Sequence, residues 1–246
     1  MRFVLCFGVI LGFSGLAAAD PISPFVWEFG ESEPITIQDL NDNYDGTLIV
    51  GDKTFDMFDV VSTEANTAVA PTASSIKVGG GMDGGGNITL DFFGSWSAGE
   101  GDISNSNIEF RVTADPLFLI ESVGLDLLSF NALGTGLAQI SENVYEDSSL
   151  ETLVTVPPAF GVFYDPDSSF PLIDSSSGTL TTPLQSIFVL KDISASDTSF
   201  GPSDGPTLAH ISRFRQTFYQ IPVPEPASIT LLAAGLVLMG TRSRIA

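Results

Sequence analysis

The run Asn41-Asp42-Asn43-Tyr44-Asp45-Gly46, followed by Asp52, carries the spacing in this chain that points most directly to metal chemistry. Oxygen-bearing side chains at the first, third, fifth and twelfth positions, with glycine at the sixth, form the pattern of a calcium loop. On that pattern the ligands are Asn41, Asn43, Asp45 and Asp52, and calcium is the only cofactor the sequence admits. Two substitutions weaken the match: the first ligand is Asn, and the twelfth is Asp rather than the longer, bidentate Glu. A turn built on Asn, Asp and Gly accounts for the same residues. Calcium held between surface acidic loops is an alternative that spacing along the chain does not locate.

Other catalytic constellations are poorly supported. His210 is the single histidine, and no Gly-x-Ser-x-Gly elbow accompanies it, so a partly exposed strand histidine is expected rather than a Ser-His-Asp triad. One histidine and one cysteine leave no zinc motif. Thirty acidic residues make a glycosidase-like pair of carboxylates easy to draw and impossible to select. No catalytic residue is assigned, and the expectation is a protein that is not an enzyme.

The elements that must position any site read as strands. Runs rich in Val, Ile, Thr and Phe recur between Gly, Asp, Ser and Pro clusters, and no helical periodicity of useful length appears in the body. Ile108, Phe110 and Val112 should face one way while Glu109 and Arg111 face the other, as in an antiparallel sheet with one buried face. Further strands are expected over 24–29, 34–40, 47–50, 54–61, 75–78, 87–93, 118–128, 135–144, 151–156, 160–164, 184–190 and 208–221. Gly51-Asp52-Lys53 reads as a hairpin turn, Gly79 to Gly86 as a mobile glycine loop, and Asp174 to Gly178 as a turn. The fold class is therefore all-β, an antiparallel β-sandwich, with a jelly roll compatible with the same pattern.

The two ends read differently from the body. Met1-Arg2, an apolar stretch to Leu16 and Ala17-Ala18-Ala19 before Asp20 form a secretory signal peptide, residues 1–19, with cleavage between Ala19 and Asp20. Cys6 leaves with it. At the other end, residues 227–240 form an apolar segment about 21 Å long as a helix, short of the ~30 Å hydrocarbon core. Arg242 and Arg244 follow, able to snorkel and to hold that end in the cytoplasm, which places the body outside. The domains are then the signal peptide 1–19, a secreted β-sandwich 20–221 and a terminal segment 222–246 with a single transmembrane helix over 227–240. With both apolar segments removed, thirty acidic residues face six basic ones, a formal charge of −24. Such a body repels nucleic acid and anionic lipid and favours solubility or cation binding. It holds no cysteine, so its stability must come from the core.

Val223-Pro224-Glu225-Pro226, the short hydrophobic helix and the basic tail together closely resemble the PEP-CTERM sorting signal of bacterial secreted proteins. That resemblance implies recognition by an exosortase-like membrane enzyme, with Pro224, Glu225 and Pro226 read as the motif and Arg242 and Arg244 as orienting charges. It further implies transient anchoring in the inner membrane and release to the cell surface or an extracellular polysaccharide matrix. The body in turn resembles a group of PEP-CTERM proteins sharing Gly-Asp-Lys-x-Phe-x-x-Phe, here residues 51–58, then Lys191-Asp192-Ile193, then Ile211-Ser212-x-x-x-Gln216. This second resemblance implies no enzymatic activity. The functional expectation is a secreted, non-catalytic surface or matrix protein, with a polysaccharide-binding module, calcium-dependent or not, as the alternative.

Overall fold

Ile108, Phe110 and Val112 are fully buried while Glu109 and Arg111 between them reach solvent, so a period of two governs this strand as expected. The same rule builds most of the molecule. The computed structural model describes residues 23–30, 33–157, 159–166, 172–197 and 207–223. The calls on Ala17, Ala19 and Asp20, on Pro224, Glu225 and Pro226, on 227–240 and on Arg242 and Arg244 lie outside them. Among the described residues no helix is long and apolar enough to cross a membrane.

Fourteen strands and one short helix follow in order: β1 (Phe25–Trp27), β2 (Ile35–Thr36), α1 (Ile37–Asn43), β3 (Leu48–Val50), β4 (Lys53–Ala65), β5 (Lys77–Met82), β6 (Ile88–Ala98), β7 (Ile103–Ala114), β8 (Phe118–Leu133), β9 (Gly136–Tyr145), β10 (Thr155–Val156), β11 (Ala159–Tyr164), β12 (Ser175–Leu184), β13 (Ser186–Asp197) and β14 (Leu208–Pro222). They form two seven-stranded sheets. Sheet A runs β1-β3-β4-β7-β13-β9-β11 and sheet B runs β10-β12-β8-β14-β6-β5-β2. Among the described residues every pairing is antiparallel except β1 with β3.

One apolar cluster with members from both sheets fills the space between them. Phe92 of β6 stacks on Phe214 of β14 with centroids 4.8 Å apart, and meets Phe110 of β7 across the interface at 5.7 Å. Phe55 of β4 and Phe218 of β14 make a second contact between the sheets at 5.3 Å. Aromatic rings that bury both faces in this way carry much of the apolar burial.

Three expectations are corrected. Residues 37–43 form a helix, not the end of a strand: Thr36 caps it by accepting from the Asp39 N–H at 3.0 Å, and Ile37 and Leu40, one turn apart, are both buried. Gly79 to Met82 is not a mobile loop but strand β5, paired with β6. A Cβ on Gly80 would lie 2.7 Å from both methyls of Val50 and 2.8 Å from the Trp27 ring, so glycine is what lets β5 pass beneath that tryptophan. Asp174 to Gly178 leads straight into β12 rather than forming a turn. The last strand, expected over 208–221, is present as β14 and runs one residue further, through Pro222 opposite Phe118, and the Val223 N–H donates to Leu117 O at 2.8 Å. A proline at the end of a strand costs only one donor, and its neighbour supplies the next bond.

Candidate functional site

The inward residues of β6, β14 and β8 are apolar apart from Gln216 and Gln220, so Thr89, Asp91 and Phe93 of β6 and Arg213, Arg215, Thr217 and Tyr219 of β14, which alternate with inward residues, line the outer face of sheet B. Strand pairing sets them in rows. Lys77, Phe93, Arg213 and Ser129 form one row across β5, β6, β14 and β8, and Gly79, Asp91, Arg215, Asp126 and Ser175 form the next, which also reaches β12. Gly81, Thr89, Thr217, Gly124 and Ser177 follow, with Tyr219, Ser122 and Thr179 beyond them.

Asp91 organises the charges on this face. Its Oδ2 accepts from Arg213 Nη2 at 2.5 Å and from Arg215 Nη2 at 3.1 Å, and its Oδ1 accepts from Arg215 Nε at 2.7 Å. Burial works against the ionised carboxyl, yet the hydrogen bonds and charges of Arg215 and Arg213 hold it below the usual carboxylate range. Asp126 is pushed the other way, by burial and by Asp174 and Asp91, despite attraction from Arg215. Tyr219 is raised by burial and by the nearby Asp126 and Asp83. The Arg213 guanidinium lies 5.1 Å from the centroid of the Phe93 ring, a cation–π contact.

Next to this face lies a groove of about 750 Å³. Its floor is the segment of β6 from Phe93 to Ser97, and its wall is the crossing from β4 to β5, residues 67–72 with Ser75, while Lys77 and Asp102 also line it. The floor is bulged, because Gly94 and Ser95 together face the single Ser212 of β14. A Cβ on Gly94 would lie 2.5 Å from the Trp96 ring, so glycine there lets the fully buried indole lie under the groove. The wall is fixed from below. Ser62 and Ser106 hydroxyls donate to Pro71 O at 2.5 and 3.1 Å, and the Asp102 carboxylate accepts from the Thr67 N–H and hydroxyl at 3.0 and 2.7 Å.

The calcium candidates fall in two places. Asn41 and Asn43 belong to α1, and Asp45 to the turn after it, at a φ of 54°. The Asn41 amide donates to Phe58 O at 3.1 Å and the Asn43 amide to Asp39 Oδ1 at 2.6 Å. Asp52 sits instead in the two-residue turn between β3 and β4, where Lys53 Nζ at 3.1 Å and Gln220 Nε2 at 2.7 Å take its oxygens. No group of three or more His, Cys, Asp or Glu side chains is gathered for a metal ion among the described residues. His210 lies on the outer face of sheet B between Ser97 and Asn131, with no hydrogen bond to a serine or carboxylate among the described residues.

Sequence reading missed two buried polar clusters that join the sheets. Lys191 of β13 donates to Glu142 of β9 and to Gln216 of β14, and Gln216 Nε2 donates to Glu142 Oε1 at 2.8 Å, all three side chains being fully buried. Lys53 of β4 likewise reaches across to Gln220 of β14. Burial lowers the Lys191 pKa and raises that of Glu142. Of the polar residues in the body motifs, Asp52, Lys53, Lys191 and Gln216 belong to these cross-sheet clusters, while Asp192 and Ser212 bond Asn105 and Ser129 at the surface.

No family model and no curated protein matches the chain. Among solved structures it is similar to TmCBM61 in complex with beta-1,4-galactotriose, at 8% sequence identity and a TM-score of 0.27, covering 65% of this chain and 87% of that chain. So slight a likeness leaves both fold and ligand to the geometry above.

Proposed function

We propose that this chain is a secreted, non-catalytic protein of the cell surface or extracellular matrix that is sorted through its C-terminal PEP-CTERM-like segment and holds polysaccharide on the outer face of sheet B. The observation that carries the binding is the groove floored by Phe93, edged by Thr67, Thr72, Ser75, Ser95 and Ser97, and adjoining the Asp91–Arg213–Arg215 network. A polysaccharide presents hydroxyl groups, which are donors and acceptors together, around apolar ring faces. Hydroxyl side chains and planar charged groups answer the first, and an aromatic ring answers the second.

The sorting reading finds support in where the sandwich stops. The last paired strand residue is Pro222, and Val223 makes the final backbone bond of the described fold, one residue before the motif. At the other end β1 starts at Phe25, beyond the expected signal-peptide cleavage. Cutting at both places removes none of the described strands. Adding chelator to the binding assay tests whether calcium takes part.

Affinity electrophoresis in gels containing the host's extracellular polysaccharide tests the binding. Retardation is expected, with Phe93→Ala weakening it about fivefold to tenfold through loss of about 1 kcal/mol of ring contact. Unretarded migration of the unaltered protein would contradict the proposal, and release of reducing sugar would contradict its non-catalytic part.

A further inference from the structure

We infer that the groove takes an acidic polysaccharide, with a carboxylate-bearing sugar seated between Lys77 and Arg213 over the edge of Phe93. This rests on the polysaccharide-binding reading and narrows it to one ligand class. The argument starts from how the six cations of the body are used. Lys53 is held by Asp52 and Gln220, Lys191 by Glu142 and Gln216, Arg111 by Asp56, and Arg215 by both oxygens of Asp91. Arg213 gives one terminal nitrogen to Asp91, and its buried Nε has no partner. Lys77 is exposed and, among the described residues, its side chain makes no hydrogen bond or ion pair.

In a body where acidic residues outnumber basic ones five to one, a cation left without a carboxylate stands out. The two with capacity to spare flank the same ring, because Lys77 and Arg213 are the register partners of Phe93 on its two sides. Two strand spacings separate them by about 10 Å. Lys77 and Phe93 both line the groove, and Asp102, the carboxylate that shares it, is engaged by Thr67 through both oxygens. An anion entering there meets a lysine that gives up no existing partner, while Arg213, outside the groove lining, stands one strand beyond Phe93 with one terminal nitrogen not taken by Asp91. A neutral glycan accepts hydrogen bonds from these groups but leaves both charges uncompensated. Carboxylate recognition by such a pair is charge-assisted, and Lys supplies it as a point charge.

The test is affinity electrophoresis of the full chain in gels containing polygalacturonate, alginate or neutral dextran, at about 0.15 M salt with EDTA present. Retardation by an acidic polymer is expected, at least tenfold weaker for Lys77→Ala and restored by Lys77→Arg, with the melting temperature of both variants unchanged. Retardation that Lys77→Ala leaves intact, or that EDTA abolishes, would overturn the assignment to this groove, the latter in favour of calcium bridging. Equal retardation by dextran would overturn the acidic class while leaving polysaccharide binding standing. No retardation in any gel would bring down the binding reading itself.

Discussion

Asp91 shows what a single residue does here and how little of it the sequence reveals. Its carboxylate is the acceptor for two arginines more than 120 positions away, side chains that strand pairing alone brings to it. Its pKa in the fold is depressed, so the folded chain binds fewer protons at this site than the unfolded chain does. The stabilisation is therefore complete above the unfolded value of about 3.9 and is lost as pH falls through the folded value. Asp91→Asn should lower stability near pH 7 by about 2 kcal/mol, the worth of hydrogen bonds to charged groups. Urea titrations between pH 3 and 7 should also show a flatter acid limb for the variant, and an unchanged limb would mean that Asp91 is not the group titrating there. Ile108, Phe110 and Val112 were legible from alternation alone, because a period of two needs only neighbours in the chain. Asp91, Phe93 and Lys77 carried no such signal, since a polar sheet face looks in sequence like any solvated strand.

At the scale of elements, β13, β9 and β14 are tied by Lys191, Glu142 and Gln216, all fully buried between the sheets. Removing one member strands a charge, whereas replacing all of them removes the cost of burying it. Lys191→Met should therefore destabilise the protein by about 3–5 kcal/mol, while Lys191→Met with Glu142→Leu and Gln216→Leu should recover most of that loss. Chemical denaturation decides it: a triple variant as unstable as the single one would show that the cluster stabilises the sandwich outright. The position of most strands was readable, because apolar runs between Gly, Asp and Pro clusters mark them. α1 was not, since seven residues with only Ile37 and Leu40 facing the core give too short a helical period to detect, and its signal lies in the Thr36 cap. The glycines of β5 misled for a related reason. Glycine suggests a loop by its freedom, yet Gly80 is required by the close approach of Val50 and Trp27.

At the scale of the whole molecule, the account joins a sandwich with an acidic, disulfide-free body to two terminal segments that sequence alone describes. β14 is the central strand of sheet B, paired on both sides, so the described fold depends on the chain as far as Pro222, with Val223 adding its last backbone bond. A processing cut at the Pro-Glu-Pro motif would free an intact sandwich, and Glu225→Ala should leave the full-length protein in the membrane fraction. The most direct test is the intact mass of the protein recovered from the medium of its own host. A product that begins at Asp20 and ends between Val223 and Pro226 is the predicted result. A product that retains Arg242 and Arg244 and is found only with membranes would contradict the account, making the tail a permanent anchor rather than a sorting signal.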